Sequence, residues 1–522
     1  MKSPAHRRRQ RSTPTPKVVT VIKNPKTEAT TWRLGYLPLP IIGVYSLLSR
    51  LRKLLPMPAL LRHTYVVGKS GAGKSELLKL LLLRLVLRRR WYKWWWQVDE
   101  RVTVFFLDPH GEAAEQMAKN RLLHQRFRHS GAAPKLVYLD FCGGKQGTPT
   151  VNPFELPSRN MNPEAPGKRA ENLSLVFAHM LSRGNSALTL PMFTVLRAMI
   201  QVLLAKSMRE GIPATFFDLE RFLRPERSAD LLNFGCQEMP TASIRHFFQY
   251  EFLHSRFGAT RFSLQIKLAC LLHSAAFRRI LCQRYSTFRP EKFFRSGNLV
   301  IINAAQTALG AEVTEILGRT VVTLLQMIAI ERGVMKGFRP TFLILDEANT
   351  FLSPAISALL EQLRKYGLHL LMANQHIAQS NMTPQVTRTL LGNTYVRLCG
   401  IAGKQTRQQI AAECQVPGEC LEGLRTGEFF LGVEGHAPVR IKVPKFFLGT
   451  KRQVSLRQWQ HFLLGQRRRW YHLPGPSEHL RSNETAAQLA EEIEAAKGGS
   501  AALRNPDLCS RSPRPVLSTS SQ

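Results

Sequence analysis

A glycine-rich segment near residue 70 has the residue types and spacing that bind phosphate groups. Residues 66–78 read VVGKSGAGKSELL, which follows the spacing GxxxxGKS. The glycines let backbone N–H groups converge on phosphates, and the N-terminus of a following helix adds positive potential. The sequence therefore predicts a nucleotide-binding loop formed by Gly68, Lys69, Ser70, Gly71, Ala72, Gly73, Lys74, Ser75 and Glu76.

Two side chains of this loop are expected to act on the nucleotide. In such loops the lysine, here Lys74, reaches the β- and γ-phosphates, and the hydroxyl residue, here Ser75, ligates Mg²⁺. The loop follows an apolar strand-like run at 63–67 and precedes an apolar helical run at 77–87, which is the context that a phosphate loop requires. We therefore expect ATP and Mg²⁺ as cofactors. A guanine-specific site is less favoured, because the sequence contains no Asn-Lys-x-Asp stretch.

Two carboxylates follow directly after the apolar run FLIL at 342–345. Asp346 and Glu347 would lie at the carboxyl edge of a parallel sheet, where ligands bind. We expect Asp346 to hold the Mg²⁺ shell and Glu347 to polarise the attacking water as a general base. Acidic residues also favour helix starts, and the pair alone leaves that alternative open. Together with the phosphate loop it predicts ATP hydrolysis.

Two further polar residues are candidates for sensing the nucleotide. Gln375 follows the apolar run at 368–373, so its amide would lie at the same sheet edge and could report loss of the γ-phosphate. Arg364 precedes Gly367 at a predicted helix end and could project across a subunit boundary as an arginine finger. A cation at a helix C-terminus also offsets the helix dipole, and the spacing leaves both interpretations of Arg364 open.

The charge balance indicates a polyanionic partner. The chain has 522 residues, with 73 Lys and Arg against 36 Asp and Glu, a formal net charge of +37. Such an excess favours nucleic acid first and an acidic membrane surface second. The apolar run 34–49 contains two prolines and is shorter than the roughly 20 residues of a spanning helix, so it is compatible with peripheral membrane contact rather than a span.

Short apolar runs typical of strands alternate with helical stretches along much of the chain. This alternation predicts an α/β fold with a mainly parallel sheet. The predicted strands are 63–67, 102–107, 135–139, 299–302, 341–345, 368–373, 394–398 and 428–431.

The alternation stops between about 160 and 290, where apolar residues recur at helical spacing. This region is predicted to be a helical domain inserted into the sheet domain. The expected organisation is a disordered basic N-terminus (1–30), a lead-in segment (31–62), a motor domain in two parts (63–159 and 291–450), the inserted helical domain (160–290) and a flexible C-terminal tail (451–522).

The order of these motifs is the basis of a family resemblance. The matching segments span about residues 60–445 and are Gly68–Ser75, Leu107–Gly111, Val151–Phe154, Leu299–Gly310, Leu345–Asn349, Arg364–Gln375 and Leu391–Arg397. This succession resembles RecA-like hexameric DNA-translocating ATPases. It is most similar to the TraG/TraD-like coupling proteins of conjugation and type IV secretion, and more distantly to HerA and FtsK.

The resemblance implies a RecA-like P-loop NTPase fold with an inserted all-helical domain. It also implies that Glu347 is the catalytic carboxylate, Gln375 the sensor and Arg364 the finger that acts in trans. A ring of six chains would move DNA without reading its sequence, with relaxosome or secretion-channel proteins as further partners. The place of action would be the cytoplasm, at or away from the inner face of the cell membrane.

Three features leave alternatives to the coupling function open. Coupling proteins usually carry two membrane-spanning helices before the motor, whereas this chain has the run 34–49. The Trp-rich segment 88–96 has no assigned counterpart and could stack on bases, lie among lipid headgroups or pack under the lead-in. The loops that would contact DNA are unidentified, with candidates at 307–315 and 381–388. The alternatives are a HerA-like motor in DNA repair or phage defence and a nucleotide-gated adaptor that recruits secretion substrates.

Overall fold

The computed structural model describes twelve segments of the chain, and the observations below concern these segments. They are residues 42–89, 96–99, 101–128, 135–155, 165–181, 188–294, 297–332, 339–352, 363–377, 384–414, 417–444 and 452–473. The predicted disordered N-terminus, residues 34–41 of the apolar run 34–49, most of the Trp-rich segment and the chain after residue 473 lie outside them.

The strands of these segments form one large sheet and one small hairpin. They are β1 (Thr64–Val67), β2 (Leu87–Arg89), β3 (Trp96–Val98), β4 (Thr103–Asp108), β5 (Leu136–Asp140), β6 (Leu299–Asn303), β7 (Thr341–Leu345), β8 (Leu368–Asn374), β9 (Val396–Cys399), β10 (Glu428–Val433) and β11 (Val439–Lys442).

The large sheet has nine strands in the order β11-β10-β9-β1-β8-β7-β4-β6-β5. The strands from β9 to β5 run parallel, while β10 is antiparallel to both β9 and β11. The order places β1, β8, β7 and β4 side by side, so their carboxyl ends meet at one edge. Each of these strands carries, at its end or in the next residue, one of the predicted site residues or a carboxylate beside them.

The helices cover both faces of this sheet. They are α1 (Ile42–Leu54), α2 (Met57–Leu60), α3 (Lys74–Val86), α4 (Glu112–Ala118), α5 (Arg121–Arg128), α6 (Ala165–Leu181), α7 (Leu190–Glu210), α8 (Phe216–Phe222), α9 (Ala229–Asn233), α10 (Ala242–His246), α11 (Gly258–Leu272), α12 (Ala275–Leu281), α13 (Gln306–Leu309), α14 (Ala311–Arg332), α15 (Ala348–Phe351), α16 (Pro384–Gly392), α17 (Lys404–Cys414) and α18 (Leu456–Trp470).

Alternation along the strands divides the core into two layers. In β4, Phe105 and Leu107 pack with the cluster that includes α14 and the helices between β5 and β6. Val104 and Phe106 point the other way and pack with the cluster that includes α1, α3, α4 and α18. The strands are apolar on both faces because helices cover both faces.

The predicted fold class, α/β with a mainly parallel sheet, is confirmed. Every predicted strand corresponds to an observed strand within two residues at each end. The sequence analysis missed β2, β3 and β11. Between β5 and β6 the described elements are all helical, while the boundaries of the predicted domains remain a prediction.

The prediction of a flexible tail from residue 451 is wrong for residues 452–473. Leu456–Trp470 forms α18, which packs on β5 through the Trp459 ring, 5.5 Å from that of Tyr138. The Ser455 Oγ caps the helix by accepting from the Gln458 N–H at 3.3 Å, and the buried Gln466 Oε1 accepts from the Tyr138 N–H at 3.1 Å. A few anchoring side chains therefore order a segment whose composition is polar.

Two of the described helices, α7 and α14, are long and apolar enough to cross a membrane. The apolar window of α14 is 89% buried inside the protein, where it packs beside the sheet, and that of α7 is half buried. The burial of α14 is that of a core helix in a globular protein.

Close packing between α14 and α15 generates a prediction about stability. Gly318 lies in α14 where a Cβ atom would overlap the Phe351 ring. We expect Gly318→Ala to lower the free energy of unfolding by about 1–3 kcal/mol, because the ring must shift. The matched control is Gly465→Ala in α18, where no atom lies within 4 Å of the added Cβ and about 0.5–1 kcal/mol of stabilisation is expected. Thermal unfolding midpoints of the two variants provide the measurement. A Gly318→Ala protein as stable as the wild type would contradict this packing.

Candidate active site

The phosphate loop connects β1 to α3, as the sequence predicts. Gly73 precedes α3 and has φ +97°, a left-handed conformation that favours glycine. A Cβ atom at Gly73 would also lie 3.2 Å from the Gly427 Cα, so a larger residue would have to displace the neighbouring loop. The backbone of the loop is therefore fixed by its own conformation and by a close neighbour.

The Lys74 side chain is buried within the loop. Its Nζ donates to the Gly68 carbonyl at 2.8 Å and to the Lys69 carbonyl at 3.3 Å. Burial lowers the pKa of Lys74, an effect that the nearby Glu347 and Asp346 carboxylates oppose. The ammonium group thus lies at the base of the loop with its charge facing the two carboxylates.

Ser75 and Asp346 meet across the site. The Ser75 Oγ donates to the Asp346 Oδ2 at 2.9 Å, which joins the first turn of α3 to the end of β7. Asp346 is 3% exposed. Burial, and after it the Asp108 carboxylate, raises the pKa of Asp346 to about 6, while the Ser75 hydrogen bond and Lys74 act in the opposite direction. A hydroxyl and a carboxylate held together are the oxygen ligands that Mg²⁺ prefers.

Glu347 has an unusual backbone conformation. Its φ of +50° and ψ of +55° place it in the left-handed region, which is uncommon for a residue other than glycine and is often associated with functional sites. The Gln375 Nε2 donates to the Glu347 Oε1 at 2.7 Å. The amide therefore holds one oxygen of the carboxylate, and the two residues that the sequence predicted as base and sensor are in direct contact.

Neighbouring side chains hold these elements in place. The Asn374 Oδ1 accepts from the Asn349 N–H at 2.9 Å, and its Nδ2 donates to the Tyr65 hydroxyl at 3.2 Å. These bonds connect the start of α15 to β8 and β1. The turn that presents Glu347 is thus tied to two strands of the sheet.

The side chains of Lys74, Ser75, Asp346, Glu347 and Gln375 line one cavity of about 440 Å³, within the range of small-ligand sites. The open space beside Gly71, where no atom lies within 4 Å of an added Cβ, and the Ser75–Asp346 oxygen pair fit a nucleotide with its metal. The lining residues are Ser70, Gly71, Gly73, Lys74, Ser75, Glu76, His110, Asp346, Glu347, Gln375, Thr426, Gly427, Val443 and Pro444.

The predicted residues Gly68, Lys69 and Ala72 belong to the phosphate loop but lie outside the cavity lining. Two further predicted residues also differ from this group. Glu76 lines the cavity, but its carboxylate also forms an ion pair at 2.5 Å with Lys79 of the same helix. Arg364 is exposed and lies outside the cavity lining. Residues 363–365 are helical, and the Arg364 carbonyl accepts from the Gly367 N–H at 3.1 Å in the turn that follows them. The trans-acting role and the helix-dipole role of Arg364 both stay predictions.

The sequence analysis did not identify the side of the cavity formed after residue 400. The Gly427 N–H donates to the Ala72 carbonyl at 2.9 Å, and the Val443 N–H donates to the Gly427 carbonyl at 2.7 Å. This contact brings Thr426, Gly427, Val443 and Pro444 to the phosphate loop. The one sequence signal was the glycine before β10. His110 was included in a family motif without an assigned role.

Comparisons with known proteins identify two matching families. Residues 53–167 match the family model "Helicase HerA, central domain", and residues 340–414 match "TraM recognition site of TraD and TraG". The first segment contains the phosphate loop and the second contains Asp346, Glu347 and Gln375. These matches confirm the predicted resemblance to HerA and to TraG/TraD-like proteins. No protein of curated function matches the chain.

Several solved structures align with most of the chain. The bacterial conjugative coupling protein TrwB, in complex with sulphate, is 16% identical with a TM-score of 0.48, covering 74% of this chain and 87% of that one. VirB4 of Thermoanaerobacter pseudethanolicus is 18% identical with a TM-score of 0.46, covering 73% and 89%. TrwB bound to the ATP analogue ADPNP is 16% identical with a TM-score of 0.49, covering 74% and 87%.

The raised pKa of Asp346 predicts a pH-dependent effect on stability. Its pKa is 3.8 without the protein environment and about 6 in the folded chain. The folded chain binds a proton at Asp346 more tightly than the unfolded chain does. The resulting stabilisation of the folded state is complete below pH 3.8 and is lost as the pH rises through about 6. At about pH 7.5 without nucleotide or metal, we expect Asp346→Asn to raise the free energy of unfolding by up to about 3 kcal/mol.

This effect is measured by unfolding midpoints at several pH values in the presence of a chelator. The stabilisation by Asp346→Asn should decrease as the pH falls through about 6 and vanish near pH 4. Asp230→Asn is the control. A hydrogen bond from Arg221 lowers the pKa of Asp230, so this substitution should lower the free energy of unfolding at about pH 7.5 rather than raise it. A stabilisation by Asp346→Asn that does not change with pH would show that the ionised carboxylate carries no such cost.

Proposed function

We propose that the chain is an ATP-hydrolysing DNA translocase that acts as a coupling protein in conjugative DNA transfer or type IV secretion. The observation that supports this most is the convergence of the phosphate loop with Asp346, Glu347 and Gln375 in one cavity. The match of residues 340–414 to the TraD and TraG model supports a role as a coupling protein. The protein would act in the cytoplasm, at or away from the inner face of the cell membrane.

Each site residue has a role in hydrolysis under this proposal. Lys74 binds the β- and γ-phosphates. Its Nζ then donates to phosphate oxygens instead of to the Gly68 and Lys69 carbonyls. Ser75 and Asp346 hold Mg²⁺, which, when bound, stabilises negative charge on the phosphates. Glu347 accepts the proton of the attacking water. Gln375 holds the Glu347 carboxylate, so that loss of the γ-phosphate changes a contact at the end of β8.

Charge and geometry support DNA as the cargo and a ring as the assembly. A net charge of +37 suits contact with the phosphate backbone, which carries no sequence information. Arg364 is exposed and outside the cavity of its own chain, as an arginine finger for a neighbouring subunit must be. Six subunits, arranged with Arg364 of one at the cavity of the next, would link hydrolysis to movement along DNA. Relaxosome or secretion-channel proteins would be further partners.

A HerA-like motor in DNA repair or phage defence is the second candidate. The match of residues 53–167 to the HerA central domain favours it. Both candidates require DNA-dependent hydrolysis and differ in the partner that supplies the DNA. Recovery of a relaxase or of a nuclease with the purified complex distinguishes them.

ATP hydrolysis with and without DNA tests the proposed function. DNA is expected to raise the hydrolysis rate of the wild type several-fold. We expect Lys74→Ala to reduce it by roughly 10²-fold or more, because the phosphates lose their charged partner. Glu347→Gln should bind ATP and reduce hydrolysis by about 10²–10⁴-fold.

Lys119→Ala is the control for Lys74→Ala, because Lys119 is a half-buried lysine at the end of α4 that pairs with Glu115, and both residues lie outside the cavity lining. This variant should keep the DNA stimulation. If DNA gives no stimulation while Lys74→Ala abolishes turnover, the chain is a nucleotide-gated adaptor rather than a motor.

Mixed rings test the trans role of Arg364. Arg364→Ala subunits keep their own Glu347 but offer no finger, whereas Glu347→Gln subunits offer a finger but have an inactive site. Mixing the two inactive proteins should restore part of the hydrolysis, because some interfaces combine an intact Glu347 with an intact Arg364. Lack of recovery at every mixing ratio, with mixed rings confirmed by native mass spectrometry, would contradict the trans role.

A further inference from the structure

The turn after β4 lies in the wall of the nucleotide cavity, and the mechanism above does not use it. This turn, Asp108–Gly111, has the sequence Asp-Pro-His-Gly. Its His110 is exposed and lines the same cavity as Lys74, Glu347 and Gln375. An imidazole N–H is a good donor to a phosphate oxygen.

The backbone of this turn is held rigidly. The buried Asp108 carboxylate accepts from the His110 N–H at 2.9 Å through Oδ1 and from the Ala114 N–H at 2.9 Å through Oδ2. Gly111 has φ +82°, and a Cβ atom there would lie 2.5 Å from the Asn303 Oδ1. Glycine is therefore required at this position, and His110 is presented from a fixed backbone.

The turn is also bonded to the segment that follows β6. The Ala304 N–H donates to the Asp108 carbonyl at 3.1 Å, and the Gln306 N–H donates to the Pro109 carbonyl at 2.9 Å. The Thr314 Oγ1 in turn donates to the Ala304 carbonyl at 3.0 Å. These bonds connect the turn to the starts of α13 and α14.

The segment after β6 has an exposed surface. Thr307, the second residue of α13, and Gly310, between α13 and α14, are exposed. They belong to one of the two regions considered for DNA contact, and the structure forms most of this region as helix rather than loop. The other region, 381–388, begins outside the described residues and continues into α16.

We propose that His110 contacts the terminal phosphate of the bound nucleotide and that the Asp108–Gly111 turn transmits this contact to residues 304–310. The inference rests on the proposed function for the identity of the nucleotide and of the DNA. It assigns His110 a positioning role, distinct from the base Glu347. Two residues would then report the state of the bound nucleotide to the rest of the chain: Gln375 at the end of β8 and His110 after β4.

Nucleotide affinities test the phosphate contact without relying on catalysis. Fluorescent ADP and fluorescent ATPγS are titrated into the wild type and His110 variants. We expect His110→Ala to weaken ATPγS binding by about 10-fold and ADP binding by less than about 2-fold, since a hydrogen bond to a charged group is lost only with the triphosphate. His110→Gln keeps an N–H donor and should restore most of the difference.

His273→Ala is the control, because His273 is an exposed histidine outside the cavity lining. It should bind both nucleotides as the wild type does. Equal ratios of ADP to ATPγS affinity in the wild type and His110→Ala would overturn the proposed contact.

The transmission step is tested at the Gln306 N–H. Ala305 has ψ +122°, which suits the residue before a proline, and Gln306 is the first residue of α13, where proline is tolerated. Gln306→Pro removes the bond to the Pro109 carbonyl and also displaces that oxygen, because the ring carbon takes the place of the donated hydrogen. Gln306→Ala keeps the bond. We expect Gln306→Pro to retain hydrolysis without DNA and to lose most of the DNA stimulation, while Gln306→Ala behaves as the wild type.

Hydrogen exchange provides a second readout for the same variants. In the wild type, exchange at residues 304–310 should differ between the ADP and ATPγS states, and this difference should disappear in His110→Ala and Gln306→Pro. An unchanged difference in both variants would overturn the transmission. If the wild type shows DNA-stimulated hydrolysis and the variants match it in every measurement, this inference fails and the proposed function stands. If the wild type shows no DNA stimulation, the proposed function fails, while the affinity ratios still decide the His110 contact.

Discussion

The hydrogen bond from the Ser75 hydroxyl to the Asp346 carboxylate, 2.9 Å long, joins the two halves of the site. Ser75 is at the start of α3, and Asp346 follows β7, so the bond forms only when strands far apart in the sequence lie in the observed order. The bond also brings a carboxylate into a buried position where its pKa rises to about 6. The ionised Asp346 carboxylate therefore destabilises the folded chain, and a divalent cation bound at this position would remove the destabilisation.

The remaining parts of the site depend on the same sheet edge. β8 and β4 flank β7 and carry Gln375 and the Asp108–Gly111 turn, while the Gly427 loop closes on the phosphate loop from β10. Hydrogen bonds therefore connect the cavity residues to several elements, among them the ends of β8 and β4 and the loop before β10. Such an arrangement suits a motor, because a change at the terminal phosphate reaches several elements at once.

The sequence predicted the parts of the fold in which local pattern and burial agree. Strands such as β7, with all five residues buried, were identified because an apolar run of that length fits few other structures. β11 was missed because Val439–Lys442 alternates apolar and charged residues over only four positions, and α18 because few of its residues are buried. The motifs predicted Lys74, Ser75, Asp346 and Glu347 at the site. The contributions of Thr426 and Val443 to the cavity arise from tertiary packing that no local motif encodes. His110 belonged to a family motif, but its place in the cavity wall followed only from the fold.

The most direct test of the central claim is a cryo-electron microscopy structure of the purified protein with ATPγS, Mg²⁺ and DNA. Our account predicts a ring with DNA in its channel, a metal ion held by Ser75 and Asp346, and Arg364 of one subunit beside the nucleotide of the next. A monomeric particle, or a nucleotide bound away from Ser75 and Asp346, would contradict the account.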